Sequence, residues 1–297
     1  MMYRPHGIIT ALVTSFDNEG KLSEERLRKS VEFQIANGVH GLCPTGGTGE
    51  PMSLSEEEYN RTLDIVIDQV KERIPVIAGV LLVDQAMTIR IAKHAAKTGA
   101  AAVMLIAPYF VRTSQRQVFK HFSDIAAATD IPLIVFNTPS RSGINLEPEF
   151  VVRLAKEVEA FVGIKEGSGS IAQAQSIIRD APPEFCVLQA SDVLQVATWA
   201  MGGKGGIVAI ANLIPDVFME MWNAFQRGDL ARARELQLTI LPLNAVTYAE
   251  GHPGPLKRAL ELVGRSAGRS RPPIYPIMKD EETDKKLQAV LKDLKLL

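Results

Sequence analysis

"GIITALVTSFDNEG", residues 7–20, opens as an aliphatic strand and runs into a polar turn. In a doubly wound nucleotide-binding sheet, the first strand is followed by a G-x-G-x-x-G turn that brings backbone amides to a pyrophosphate. Here Thr14, Ser15, Phe16 and Asp17 follow instead, so that turn is absent. An open dinucleotide-binding sheet loses its signature at this point, and the count of strands further along decides for a closed one.

Seven more short apolar runs follow: "GLCP" (41–44), "PVIAG" (75–79), "AVMLIAP" (102–108), "PLIVFN" (132–137), "FVGIKE" (161–166), "CVLQA" (186–190) and "GGIVAI" (205–210). Their nearly unbroken Val/Ile/Leu character belongs to parallel strands covered on both faces. Helical stretches separate them. Ser55 with Glu58 forms a capping box before "EEYNRTLDIVIDQVKE". Asp84 is the N-cap of a helix with Met87, Ile91 and Ala95 on one face, and Ser114 caps a helix striped by Val118, Phe122, Ile125 and Ala126. Gly38, Gly99 and Gly202 fall where helices should end in a left-handed residue. Strand starts recur roughly every 20 to 35 residues, which suits right-handed crossovers. The expected fold is α/β, a (β/α)8 TIM barrel over residues 1–225, with a C-terminal helical extension over 226–297 packed on it. "KDEETDKKLQAVLKDLKLL" closes the chain with the spacing of an amphipathic helix, packed on the barrel or on a neighbouring subunit.

The 297 residues are 46% hydrophobic and 23% charged with a net charge of −1, a balance without the basic footprint of a nucleic-acid binder. "MMYRPHGIIT" lacks the apolar core of a signal peptide, and no apolar run approaches the roughly 18 to 20 residues that span a bilayer. A cytoplasmic protein without membrane or nucleic-acid partners is expected. Cys43 and Cys186 form no CxxC and are read as reduced, buried thiols, although spacing alone does not settle whether they pair. His6, His40, His94, His121 and His252 form no HExxH and no i, i+4 pair, so no metal is expected. The "EGHPGP" turn (250–255) is assigned to the barrel bottom or a subunit contact.

Barrel enzymes place their chemistry at the C-terminal ends of the strands. "CPTGGTGE", "APYF", "FNTPSRSG" and "IKEGSGS" all fall there. Lys165 ends strand 6. It is either a lysine reaching solvent or an amine kept partly neutral by burial, and the glycines and serines beside it favour the second. Alternation turns Lys165 into the barrel mouth and Glu166 away from it. The glycines and Thr48 of "TGGTGE" are either an ordinary tight turn or a cradle of N–H groups and a hydroxyl for a small carboxylate. Arg141, between Ser140 and Ser142, is either a loop charge or a fork onto a substrate carboxylate. "GGKGG" (202–206) is a tight entry to strand 8 rather than a phosphate site, because Lys204 lies at the strand's N-terminal side.

The succession "GGTGE", "PYF", "FNTPSRSG", "GIKE" and "GGKGGI" resembles the dihydrodipicolinate synthase/N-acetylneuraminate lyase family over essentially the whole chain. The resemblance implies a homo-oligomeric barrel, tetramer or dimer, in which Lys165 forms a Schiff base with pyruvate or another 2-oxo acid. It implies that Thr48 and the Gly47 backbone hold that acid's carboxylate, that Arg141 engages the second substrate, and that the Ile207 backbone lines the pyruvate pocket. No cofactor is implied, because a protonated imine is itself the electron sink.

At the three positions where dihydrodipicolinate synthases carry a threonine and two tyrosines as a proton relay, one tyrosine being lent by a neighbour, this chain has Gly47, Phe136 and Phe110. None carries a hydroxyl, and acid–base help of that kind is worth about 10²–10⁴ in rate. Tyr109 and Ser168 are the candidates for a substitute donor. The expected function is therefore a Schiff-base lyase of aldolase type, acting on a C–C bond beside a 2-oxo acid with an aldehyde or sugar acid as partner. The alternatives are a keto-sugar-acid dehydratase using the same imine, a true dihydrodipicolinate synthase, which the three departures disfavour, and a non-catalytic 2-oxo-acid binder.

Overall fold

The computed structural model describes residues 2–297. Eight parallel strands run in the order β2-β1-β8-β7-β6-β5-β4-β3. They are β1 (Gly7–Ala11), β2 (Gly41–Cys43), β3 (Ile77–Val80), β4 (Ala102–Ile106), β5 (Leu133–Asn137), β6 (Phe161–Glu166), β7 (Cys186–Gln189) and β8 (Gly205–Val208). The ring closes between β2 and β3 through the parallel bridge Leu42–Val76, with the Leu42 N–H donating to the Pro75 carbonyl at 3.1 Å. Every run assigned to a strand from the sequence overlaps one, and only β3 reaches past its run, by the one residue Val80. The chain is a (β/α)8 barrel.

The outer layer begins with α1 (Glu24–Ala36), α2 (Glu56–Val70), α3 (Gln85–Thr98), α4 (Gln115–Ala128), the short α5 (Pro139–Ser142), α6 (Pro148–Glu157), α7 (Ile171–Asp180), α8 (Gln195–Ala200) and α9 (Pro215–Gln226). The expected caps are in place. Ser55 and Ser114 each form a full capping box, Asp84 accepts from the Met87 N–H, and Gly99 ends α3 in the left-handed region. Each cap supplies a partner to an N–H that the helix itself cannot bond, typically worth about 1 kcal/mol.

Strand side chains divide between two apolar layers. Ile9, Cys43, Ile77, Met104, Ile134 and Leu188 fill the barrel interior. Val103, Leu105, Leu133, Val135, Ile164 and Val187 face outward against the helices. Both cysteines are buried free thiols.

Past α9 the chain forms α10 (Leu230–Thr239), α11 (Leu241–Thr247), α12 (Gly254–Leu262) and α13 (Glu282–Asp293). Leu243, Leu256, Leu287 and Leu291 from these helices join Ile8, Val208 and Phe218 in one buried cluster. Burial of each such leucine is worth about 1.5–3 kcal/mol. No helix among the described residues is long and apolar enough to cross a membrane.

Candidate active site

A bulge in β6 decides where the lysine points. Leu133 pairs with Phe161 but Ile134 pairs with Gly163, so Val162 is the extra residue. Phe161 lies in the outer layer, Val162 in the inner one and Ile164 in the outer one again. Unbroken alternation from Phe161 would have put Ile164 inside and Lys165 outside. Gly163 permits the bulge, since a Cβ there would lie 2.5 Å from the Cys186 carbonyl oxygen. Beyond it Lys165 enters the barrel mouth and Glu166 turns out. Glu166 accepts from Asn137 Nδ2 at 3.1 Å, Gln173 Nε2 at 3.2 Å and the Ser168 N–H at 2.6 Å. These donors hold the carboxylate on the helix side, away from the amine.

Lys165 is 6% exposed and lines a cavity of about 370 Å³ at the C-terminal ends of the strands. Burial lowers its pKa below the ordinary lysine value. Cys43 and Asp192 oppose that shift, and Arg141 adds to it. The Cys43 thiol beneath it is pushed up to about 11 by its own burial and stays neutral. Phe136, on β5, lays its ring against the amine and has no proton to give.

The glycine loop after β2 continues as two turns of 3₁₀ helix, Gly47–Gly49 and Pro51–Ser53, before α2 begins. Gly47 and Thr48 thus reach the cavity on a loop and not on the N-terminus of α2. A Cβ at Gly47 would meet nothing within 4 Å, so the position has no steric need for glycine. Arg141 and Ser140 come in on α5, and Ser168 on the loop after β6.

Three of the residues singled out from the sequence lie off the cavity of this chain, and for Phe110, at the position of the lent tyrosine, that is where the resemblance puts it. Phe110 is fully exposed with φ at 70°, and lies outside the cavity of its own chain. Tyr109 donates its hydroxyl to Met52 Sδ at 2.8 Å and does not line the cavity. Ile207 is wholly buried in the barrel interior, also off the lining.

Other residues arrive unannounced. Asp192, after β7, accepts from the Ala209 and Ile210 N–H groups at 3.0 Å each and from the Tyr248 hydroxyl at 2.9 Å. Tyr248 stacks on His252 with ring centroids 4.3 Å apart and planes 4° from parallel. His252 Nε2 lies 3.2 Å from Thr48 Oγ1. The "EGHPGP" turn therefore reaches the barrel mouth, and its assignment to the barrel bottom is corrected. The turn follows α11, whose Asn244 and whose C-terminal neighbour Tyr248 line the same cavity. Asp192 was findable by the strand-end rule applied to "CVLQASD"; Tyr248 and His252 lie on no strand and carry no periodic signal. Among the described residues no group of three or more His, Cys, Asp or Glu side chains is placed to hold a metal ion.

Residues 4–294 match the dihydrodipicolinate synthetase family. The chain is 39% identical over 298 residues to the 4-hydroxy-tetrahydrodipicolinate synthase of Methanopyrus kandleri, covering 100% of this chain and 99% of that protein. It is also 39% identical over 291 residues to the enzyme of the same name from Syntrophus aciditrophicus, covering 98% and 99%. Its fold is similar to the crystal structure of dihydrodipicolinate synthase from Thermotoga maritima, with a TM-score of 0.95 and 32% identity over 99% of this chain and 100% of that one. By sequence and by fold across nearly its full length, the chain belongs to the dihydrodipicolinate synthetase family and is a lyase of the class I aldolase type.

Proposed function

We propose that the protein makes or breaks a C–C bond next to a 2-oxo acid, pyruvate being the first choice, through an imine on Lys165. The neutral amine adds to the ketone, the carbinolamine loses water, and the resulting iminium gives up a C3 proton to become a nucleophilic enamine that adds to an aldehyde. The observation that carries this reading is the buried strand-end amine, its proton affinity lowered by burial, in one cavity with Thr48 and Arg141. Thr48 with the Gly47 backbone is the proposed seat of the 2-oxo acid's carboxylate, and Arg141 the partner of an acid group on the second substrate. Relatives named 4-hydroxy-tetrahydrodipicolinate synthase support pyruvate and an aldehyde as the pair.

Borohydride reduction with pyruvate, followed by intact mass, tests the proposal. A reduced adduct that Lys165→Ala abolishes is expected, and no adduct with any of a panel of 2-oxo acids ends it.

Dehydration of a keto-sugar acid through the same imine is a second reading. It is favoured by the hydroxyl-binding groups of Ser140, Asp192, Asn244 and Tyr248 around the cavity. Product analysis separates the two, since only the aldolase direction releases pyruvate. Assembly with further copies is also proposed, because Phe110 combines full exposure with a left-handed backbone that a non-glycine residue adopts only at a cost. Sedimentation of the intact chain against Phe110→Asp reads this out.

A further inference from the structure

The imine route needs a proton twice. The carbinolamine hydroxyl must be protonated to leave as water, and a base must then take a proton from C3. Phe136, the ring nearest Lys165, supplies neither.

The same cavity holds a phenol–carboxylate pair that this chemistry has not yet used. Tyr248 donates to Asp192 Oδ2 at 2.9 Å, and Asp192 Oδ1 is pinned by the Ala209 and Ile210 N–H groups. Asp192 is 1% exposed, so three donors fix the carboxylate and through it the phenol oxygen. The Tyr248 ring is held flat against His252, and the residue as a whole is 40% exposed at the cavity while its hydroxyl is engaged by Asp192. His252 is oriented in turn. Its Nδ1 faces the Thr247 carbonyl at 3.5 Å, which only accepts, so Nδ1 carries the hydrogen and Nε2 is an acceptor 3.2 Å from the Thr48 hydroxyl. The charged groups around the pair are Lys165 on β6 and Arg141 on α5. Burial and the neighbouring carboxylate raise the phenol's proton affinity, and burial raises that of Asp192, so the phenol keeps its proton at neutral pH.

Resting on the imine reading above, we infer that Tyr248 is the acid–base group for the 2-oxo acid bound at Lys165, with Asp192 as its positioning residue, in place of the hydroxyl that Phe136 lacks. The Tyr248 O–H gives its proton to the carbinolamine hydroxyl, the C–O bond breaks, water leaves, and the nitrogen lone pair closes the C=N bond. The phenolate then takes a C3 proton; the C–H electron pair forms the C=C bond of the enamine and the iminium charge is neutralised. Tyr248 ends protonated, as it began. The adjacent carboxylate makes the transient phenolate the stronger base.

Exchange of pyruvate methyl protons for deuterium in D2O, followed by NMR, reads the C3 step without any second substrate. Tyr248→Phe keeps the ring and its stack on His252. It is expected to slow exchange at least 100-fold while the borohydride adduct on Lys165 still accumulates on long incubation. Asp192→Asn keeps an oxygen for the Ala209 and Ile210 N–H groups but removes the charge and the acceptor beside the phenol, and is expected to move the pH of half-maximal exchange downward. Exchange by Tyr248→Phe within threefold of the unmodified protein overturns the inference, as does an unmoved pH profile in Asp192→Asn. If the unmodified protein forms no adduct, the imine reading fails and takes this one with it. An adduct together with unaffected exchange in Tyr248→Phe sinks this inference alone.

Discussion

Lys165 Nζ lies 4.4 Å from the centroid of the Phe136 ring, and the same two residues are partners in the parallel register of β5 and β6. A ring face over an ammonium favours the charged form, so Phe136 works against the burial that lowers this lysine's pKa. At about 0.5–2 kcal/mol for such a contact, Phe136→Leu should lower the pH midpoint of pyruvate adduct formation by about 0.4 to 1.5 units. An unmoved midpoint would mean that the ring is only a wall.

His252 is held neutral, its pKa pushed down to about 3 by burial first and by the positive Arg141 second. Between about pH 6.5 and 3 the unfolded chain binds a proton here that the folded chain refuses, so stability falls as the pH is lowered through that window. Between pH 7 and 5 this one group should account for about 1–2 kcal/mol of lost stability. His252→Asn removes the linkage. Denaturant midpoints of the two proteins should therefore converge on acidification, and a constant gap contradicts the buried neutral ring.

Lys257 and Glu50 form an ion pair at 2.5 Å with side chains 2% and 0% exposed, joining α12 to the end of the glycine loop. Neither atom of this pair makes an aligned hydrogen bond, and burial lowers the lysine's pKa while Glu50 raises it. Lys257→Met should cost about 3–5 kcal/mol, because it strands a buried carboxylate. Lys257→Met with Glu50→Gln should recover most of that in urea melts. A double variant no more stable than the single one would show that the charges are not what matters.

Gly163→Ala drives a Cβ to 2.5 Å from the Cys186 carbonyl oxygen and 3.2 Å from the Cys186 Cβ. Backbone on two strands must shift, at a cost of at least about 2 kcal/mol. The soluble fraction should lose pyruvate adduct formation out of proportion to its loss of stability, since the lysine's direction depends on this site. Full trapping by a folded Gly163→Ala would refute the bulge's part in aiming Lys165.

Much of this was legible in the residues. Each strand announced itself by a β-rich apolar run, and Ser55, Asp84 and Ser114 marked helix starts through the chemistry of a free N–H group. Gly47, Thr48, Arg141, Lys165 and Ser168 were reachable because a barrel gathers strand ends, and all five line one cavity. The bulge was not legible, since no pattern in "FVGIKE" shows which residue is unpaired. Simple alternation gives the right side for Lys165 only when it is counted from beyond the inserted residue. Tyr248 and His252 were missed because the extension's path over the barrel mouth is set by long-range packing. Tyr109 sits on a loop with nothing in its composition to say that it leaves the cavity.

The inserted residue in β6 also makes the character of the site a matter of parity. Deleting position 163 would leave Lys165 facing in, because the residues that remain alternate from Phe161 to Lys165 unaided; straightening the strand with all six residues kept would carry Lys165 out among the helices and bring Glu166 in over the mouth. A cavity built for an electron-withdrawing nitrogen would then present a carboxylate, without a single side chain having been exchanged.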